Sequence, residues 1–80
     1  MPMKIAIADD SPAIREALRS FIQSKTDWQV CGEAEDGEAA VALTQRLHPD
    51  LLVLDLSMPV MNGFEAARKI VRIAPSIRIV

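Results

Sequence analysis

Three aspartates of this 80-residue chain stand directly after short apolar segments. Asp9 and Asp10 follow the run M-K-I-A-I-A, and Asp55 follows L-L-V-L. Carboxylates that share a small pocket repel one another, and a bound cation is the usual way to neutralise them. Mg²⁺ takes oxygen ligands and commonly sits on one or two carboxylates that face a phosphate. If the chain folds so that these residues meet, the expected cofactor is therefore Mg²⁺.

The same three residues could also support phosphoryl transfer. Once a cation neutralises the cluster, one aspartate can attack phosphorus and become an aspartyl phosphate. Asp55 is the better candidate for this nucleophile, because it stands alone at the end of its segment. Asp10 is then expected to bind the metal, and Asp9 to support the metal through a water molecule.

The elements that would position these residues alternate regularly along the chain. Short apolar or alternating segments predict four strands, and amphipathic segments between them predict three helices. The strands are expected at residues 3–8, 28–34, 51–54 and 76–80. The order β-α-β-α-β-α-β implies an α/β fold with a parallel sheet and right-handed crossovers.

The predicted sheet brings the three aspartates to one edge. The first and third strands are the most apolar and should be central, which gives the spatial order 2-1-3-4 of a doubly wound sheet. Ligands of such sheets bind at the carboxyl ends of the strands where the chain direction reverses, here between the first and third strands. Neighbouring strands lie about 4.8 Å apart, so Asp9, Asp10 and Asp55 should share one pocket.

Local patterns predict where each helix begins and which side of it is buried. Ser11 (with Pro12 after it), Asp36 and Asn62 are expected to cap the three helices. The expected inner positions are Ile14, Leu18, Phe21 and Ile22 in the first helix, Ala40, Leu43 and Leu47 in the second, and Phe64, Ala67 and Val71 in the third, with Ile70 beside them. The second strand should alternate, with Trp28, Val30 and Ala34 on one face and Gln29, Cys31 and Glu33 on the other.

Composition narrows the class of protein. Half the residues are hydrophobic and a quarter are charged, which excludes a disordered chain. The net charge of −2 argues against direct nucleic-acid binding, which needs a basic surface. The sequence contains no apolar run of the roughly 18–20 residues that span a bilayer. With no signal-like start and a single cysteine, Cys31, the chain is expected to be cytoplasmic and away from membranes.

The acidic motifs resemble those of a known family. The run D-D-S after the first strand and D-L-S-M-P-V-M-N-G after the third are similar to the receiver domains of two-component response regulators. The resemblance implies a flavodoxin-like fold with Asp55 as phosphoacceptor. It further implies Mg²⁺ bound by Asp10, Asp55 and the backbone carbonyl of Ser57, with Asp9 supporting through water. A histidine kinase would supply the phosphoryl group.

The resemblance also implies that residues 1–80 are a single partial receiver domain. Family members continue through a fourth helix, a fifth strand and a fifth helix, and the truncation falls at the start of the fourth strand. Without that portion, the edge of the fourth strand and part of one sheet face are left uncovered. Bare edges and exposed apolar faces are association sites, so a homodimer through these surfaces is expected.

The sequence is also compatible with two other functions. The chain could be a signalling-incompetent receiver fragment that folds by homodimerisation and has a structural or interaction role. It could also be a phosphohydrolase that uses an aspartyl phosphate, but such enzymes usually carry a second Asp two residues after the nucleophile, where this chain has Ser57. The chain is therefore not expected to be an enzyme.

Overall fold

The computed structural model describes residues 3–55 and 61–80. Seven elements alternate along these described residues, as the sequence predicts: β1 (Lys4–Ala8), α1 (Pro12–Lys25), β2 (Gln29–Ala34), α2 (Gly37–Leu47), β3 (Leu51–Leu54), α3 (Gly63–Ile73) and β4 (Arg78–Ile79). Among the described residues, no helix combines the length and the apolar character that crossing a membrane would require.

The sheet has the predicted doubly wound topology. Its four strands lie in the order β2-β1-β3-β4, and every pairing is parallel. Ala8 of β1 pairs with Ala34 of β2 on one side and with Leu54 of β3 on the other. The carboxyl ends of these three strands are therefore level with one another at a single edge of the sheet.

The three predicted helix caps are confirmed. The side chains of Ser11, Asp36 and Asn62 each accept a hydrogen bond from a backbone N–H three residues later, at 3.3, 2.7 and 3.0 Å. α2 ends at His48, which adopts a left-handed conformation with φ of 47° immediately before Pro49. The residue before a proline avoids the right-handed helical region, which explains why α2 stops there.

Two apolar layers cover the two faces of the sheet. On one face, Ile22 of α1 packs against Ile5 and Ile7 of β1. The other face carries α2 and α3, and its core is larger: Ala6, Ala8, Ala34, Ala40, Leu43, Leu52, Leu54, Ala66 and Ile70. One helix thus covers the first face, whereas two helices cover the second.

Several predicted inner positions of the helices are wrong. Ile14 and Phe21 of α1 are 49% and 62% exposed, and Phe64 and Val71 of α3 are 65% and 54% exposed. In α1, Ile22 is buried and Leu18 partly buried, while the other two apolar side chains lie on the flank of the helix. The buried residues of α3 are the small Gly63 and Ala66 together with the larger Ile70. The small residues let α3 lie close to α2, Ile70 packs in the core, and the bulky Phe64 and Val71 are left outside.

The predicted alternation of β2 is also wrong, because the strand contains a bulge. Ile5 pairs with Val30 but the next residue, Ala6, pairs with Gly32, so that Cys31 is the extra residue. An extra residue shifts every later side chain to the opposite face. Val30 consequently packs on the α1 side and Ala34 on the α2 side, although strict alternation would put them together.

Candidate metal and phosphoacceptor site

The backbones of the acidic residues are held by continued strand pairing. The N–H of Asp55 donates to the carbonyl oxygen of Ala8 at 2.9 Å, and the N–H of Asp9 donates to that of Ala34 at 3.0 Å. Each aspartate therefore follows its strand without a break in the hydrogen-bonding pattern. The ends of β1 and β3 are fixed side by side, which sets where the carboxylates can lie.

Asp9, Asp10 and Asp55 lie together, as the strand-end argument predicts. Each offers a carboxylate oxygen, and these three oxygens all lie within 4.8 Å of one another. Asp10 is exposed, whereas Asp9 and Asp55 are half-buried. The cluster is accordingly anchored in the sheet edge on one side and accessible to solvent on the other.

One carboxylate of the cluster is tied to the start of α1. An oxygen of Asp9 accepts a hydrogen bond from the N–H of Ser11 at 2.9 Å, so that Asp9 closes the turn between β1 and the helix. Ser11 in turn caps α1. This arrangement orients Asp9 and places Asp10, the next residue, on the exposed side of the turn.

The donor set fits a hard divalent cation. Three carboxylates within 4.8 Å are mutually repulsive unless a positive charge lies between them. All three offer oxygen, the ligand type that Mg²⁺ requires, and the exposed side leaves room for the waters that Mg²⁺ normally retains. The described residues of the site are therefore chemically suited to Mg²⁺.

Arg15 is a residue of this region that the sequence analysis missed. Its guanidinium donates to the backbone oxygen of Asp9 at 2.6 Å and to the carboxylate of Glu33 at 3.3 Å. Arg19, one helical turn further on, also pairs with Glu33, at 3.0 Å. The i, i+4 spacing of the two arginines is visible in the sequence. Their shared partner, Glu33, cannot be recognised from the sequence, because Glu33 faces α1 only as a result of the bulge at Cys31.

Ser57, whose backbone carbonyl is expected to bind the metal, lies outside the described residues. The motif D-L-S-M-P-V-M-N-G ends with Met61, Asn62 and Gly63, which the structure describes. There Asn62 caps α3 by accepting a hydrogen bond from the N–H of Glu65. This part of the motif thus connects the site region to the start of the third helix.

Comparison with known protein families and curated proteins points to one family. The response regulator receiver domain model matches residues 5–80. The transcriptional regulatory protein YxjL of Bacillus subtilis is 41% identical over 78 residues, which cover 98% of this chain and 36% of that protein. A protein-glutamate methylesterase/protein-glutamine glutaminase of Pyrococcus horikoshii is 41% identical over 73 residues, covering 91% of this chain and 20% of that protein. The chain thus spans about a third or less of these relatives.

Solved structures give the same result. The response regulator domain of Thermotoga maritima CheB matches with a TM-score of 0.94 and 35% identity, over 99% of this chain and 58% of that one. The CheX-CheY-BeF3-Mg complex of Borrelia burgdorferi matches with a TM-score of 0.94 and 27% identity, over 99% of this chain and 60% of the matched chain. Since the family model covers nearly every residue and the fold agrees with it, this chain belongs to the response regulator receiver domain family.

Proposed function

We propose that this chain is the phosphoacceptor module of a two-component signalling system, in which Asp55 is phosphorylated with the help of Mg²⁺. The observation that carries the proposal is the convergence of three carboxylates within 4.8 Å at the ends of two neighbouring strands. Membership of the receiver family supports the same reading. A histidine kinase is the proposed source of the phosphoryl group.

The proposed metal ligands are Asp10, Asp55 and the backbone carbonyl of Ser57, with Asp9 supporting through a water molecule. When bound, Mg²⁺ would neutralise the carboxylates and the charge on the incoming phosphoryl group. The hydrogen bond from Ser11 to Asp9 supports its indirect role, because one of its oxygens is already engaged. The related structure from Borrelia burgdorferi is a complex that includes both BeF3 and Mg²⁺.

Asp55 is the proposed nucleophile. A carboxylate oxygen of Asp55 forms a bond to phosphorus as the bond between phosphorus and the histidine nitrogen of the kinase breaks, and the electron pair of that bond stays on the imidazole. The product is an acyl phosphate on Asp55. The chain itself is changed by this transfer, so we propose that it acts as a signalling module and not as an enzyme. The Pyrococcus horikoshii methylesterase shares only about a fifth of its length with this chain.

Intact mass spectrometry tests this proposal. Incubation with acetyl phosphate and Mg²⁺ should add the mass of one phosphoryl group to the wild-type chain and none to Asp55→Asn. Asp50→Asn is a matched control, because Asp50 hydrogen-bonds the N–H of Lys4 at the opposite end of the sheet. It should gain the phosphoryl group normally. A mass gain that persists in Asp55→Asn, or no gain in a folded wild-type chain, would contradict the proposal.

A second candidate function is a structural or interaction role for a partial receiver domain that folds by homodimerisation. The observations that favour it are the exposed apolar side chains of Ile14, Phe21, Phe64, Val71 and Val80. Among the strands of the described ranges, β4 also lies at one end of the sheet and pairs only with β3. A second copy could cover the β4 edge and the adjoining face. Light scattering on a size-exclusion column should then give twice the chain mass, whereas a monomer at micromolar concentration would exclude this candidate.

The cysteine content and the net charge of the chain support a proposed cellular location. We propose a cytoplasmic location, since Cys31 is a free thiol and the chain has no second cysteine with which to form an internal disulfide. The net charge of −2 argues against direct contact of this chain with nucleic acid. A transcriptional role, as in the name of the Bacillus subtilis relative, would then depend on other parts of a longer protein.

A further inference from the structure

An arginine side chain holds the peptide group that joins two of the clustered aspartates. Nη1 of Arg15 donates a hydrogen bond to the backbone carbonyl oxygen of Asp9 at 2.6 Å. That oxygen belongs to the peptide bond between Asp9 and Asp10. Because a peptide group is planar, a bond to its oxygen restrains the orientation of the whole group, including the N–H and Cα of Asp10. Arg15 therefore acts on the backbone of a proposed metal ligand.

The other polar groups of Asp9 leave this orientation to Arg15. The N–H of Asp9 donates to the carbonyl oxygen of Ala34 at 3.0 Å, and its carboxylate accepts from the N–H of Ser11 at 2.9 Å. Neither bond involves the carbonyl group of Asp9, whose orientation decides the direction of the chain into Asp10. The hydrogen bond from Arg15 supplies this third restraint.

The guanidinium of Arg15 is itself oriented by β2. Its Nε donates to the carboxylate of Glu33 at 3.3 Å, and the two side chains are only 17% and 26% exposed. A guanidinium is a rigid planar fork, so two bonds from different nitrogens fix its plane. Glu33 also provides its ionic partner. The arginine thus lies beside the acidic cluster while its ion pair is made to a carboxylate outside that cluster.

We infer that Arg15 is a positioning residue for the metal site: by holding the peptide group between Asp9 and Asp10, it orients the Asp10 carboxylate toward the other oxygens of the cluster. These oxygens lie within 4.8 Å of one another, with Asp55 as the third member. The inference rests on the proposed function, since it concerns Mg²⁺ binding. Arg15 is not a ligand and acts through the backbone of Asp9. Groups of a metal site must be held to within about 0.5 Å, which makes such a restraint important.

The charge of Arg15 and its positioning role have opposite effects on cation binding, so that they can be separated. Removing a positive charge near carboxylates should by itself strengthen the binding of Mg²⁺. Releasing a restraint on a ligand should weaken it, typically by about 10- to 100-fold. Arg19 is the matched control, because it pairs with the same Glu33, at 3.0 Å, from one helical turn further along α1. Arg19→Gln removes an equal charge without removing the bond to Asp9.

The experiment is an isothermal titration of wild type, Arg15→Gln and Arg19→Gln with Mg²⁺, together with urea unfolding to confirm that each chain is folded. Arg15→Gln should raise the Mg²⁺ dissociation constant by about tenfold or more. Arg19→Gln should leave it within about twofold of the wild-type value, because its ion pair is more exposed to water. Wild-type or tighter binding in folded Arg15→Gln, or an equal weakening in both variants, would overturn the inference.

Backbone ¹⁵N relaxation without metal measures the restraint itself. In Arg15→Gln, the order parameter of the Asp10 amide should fall from the value of about 0.85 that is typical of rigid backbone toward about 0.6, whereas Arg19→Gln should leave it unchanged. An Asp10 amide that stays equally rigid in Arg15→Gln would overturn the inference. A wild-type chain that binds no Mg²⁺ would contradict the proposed function, whereas unchanged affinity in Arg15→Gln contradicts the positioning role alone.

Arg15→Lys decides the matter if Arg15→Gln does not fold. Lysine keeps the positive charge, but its compact ammonium lacks the planar fork that serves Asp9 and Glu33 together. Since the charge is unchanged, a several-fold rise in the Mg²⁺ dissociation constant of Arg15→Lys would come from lost orientation and would support the inference. Wild-type affinity in Arg15→Lys would overturn it.

Discussion

Arg15 and Arg19 share Glu33 as an ionic partner, but their surroundings differ. The side chain of Arg15 is 17% exposed and also donates to the backbone oxygen of Asp9, whereas that of Arg19 is 43% exposed. Charge-assisted hydrogen bonds in partly buried settings contribute more than exposed ion pairs, which are screened by water. Arg15 should therefore matter more for the stability of the turn that carries the acidic residues.

This difference predicts unequal effects of two matched substitutions. Arg15→Gln should lower the free energy of unfolding by about 1–2 kcal/mol, and Arg19→Gln by about 0.5 kcal/mol or less. Urea unfolding of the two variants measures both values. Equal losses would show that the hydrogen bond to Asp9 contributes nothing beyond the ion pair with Glu33.

The raised pKa of the Cys31 thiol predicts that the free energy of unfolding depends on pH. Burial raises the pKa of its thiol above the ordinary 9.0, while a backbone hydrogen bond and the charge of Lys4 act in the opposite direction. The folded chain then holds the thiol proton more tightly than the unfolded chain. This contribution to stability is fully present below pH 9.0 and is lost as the pH rises toward the folded-state pKa.

A comparison with Cys31→Ala isolates this effect, because every other titrating group is common to both chains. The free energy of unfolding of wild type relative to Cys31→Ala should be constant from pH 7 to 8 and should fall above pH 9.0. A difference that stays constant up to pH 10.5 would mean that folding leaves the pKa of the thiol unchanged.

At the level of elements, the helix caps offer a direct test of local structure. Asp36 accepts the shortest of the three capping hydrogen bonds, 2.7 Å from the N–H of Ala39. Asp36→Ala should cost about 1 kcal/mol of stability, the usual effect of removing a helix cap. Glu35→Ala removes the same charge from the preceding, exposed residue and should change stability by less than about 0.5 kcal/mol. Similar losses in both variants would mean that charge, and not capping, is responsible.

The elements themselves could be predicted because their signals are local. Ser11, Asp36 and Asn62 cap the helices as expected, and Pro49 limits the second helix. The bulge at Cys31 could not be predicted, since it is defined by pairing with β1, a strand more than twenty residues earlier in the chain. Which apolar side chains of α1 and α3 are exposed depends likewise on the elements against which those helices pack. The periodicity of the sequence alone does not specify those elements.

The placement of the acidic residues was predictable for a related reason. Asp9 and Asp55 follow buried strands directly, and parallel strands end at one edge, so topology alone brings them together. Arg15 was missed because its hydrogen bond to Glu33 joins two elements that are distant in sequence. Site residues that depend on strand ends can be inferred from a sequence, whereas those that depend on tertiary contacts cannot.

For the molecule as a whole, apolar flanks are exposed on both helical layers. Ile14 and Phe21 lie on α1, Phe64 and Val71 on α3, and Val80 follows β4 at the edge of the sheet. Small domains bury little of their surface and are only marginally stable. In a chain of 8.8 kDa, burial of such side chains would therefore raise the free energy of unfolding by a large fraction. Under the second candidate function, association with a second copy would bury part of this exposed apolar surface.

Association of this kind predicts that stability depends on concentration. Binding that favours the folded state raises the thermal midpoint as the concentration rises. The midpoint of the wild-type chain should increase between 5 µM and about 500 µM, a range of about 100-fold. Phe21→Ser changes an exposed side chain of α1. It should reduce this increase while leaving the thermal midpoint at the lowest concentration nearly unchanged. A midpoint independent of concentration would contradict self-association.

Paramagnetic NMR with Mn²⁺ in place of Mg²⁺ tests most directly whether the ends of β1 and β3 form one divalent-cation site. At substoichiometric Mn²⁺, the amide signals of Asp9, Asp10 and Asp55 should broaden together, and excess Mg²⁺ should restore all three. Broadening centred on other acidic residues such as Glu35 and Glu38, or at only one of the two strand ends, would contradict the claim.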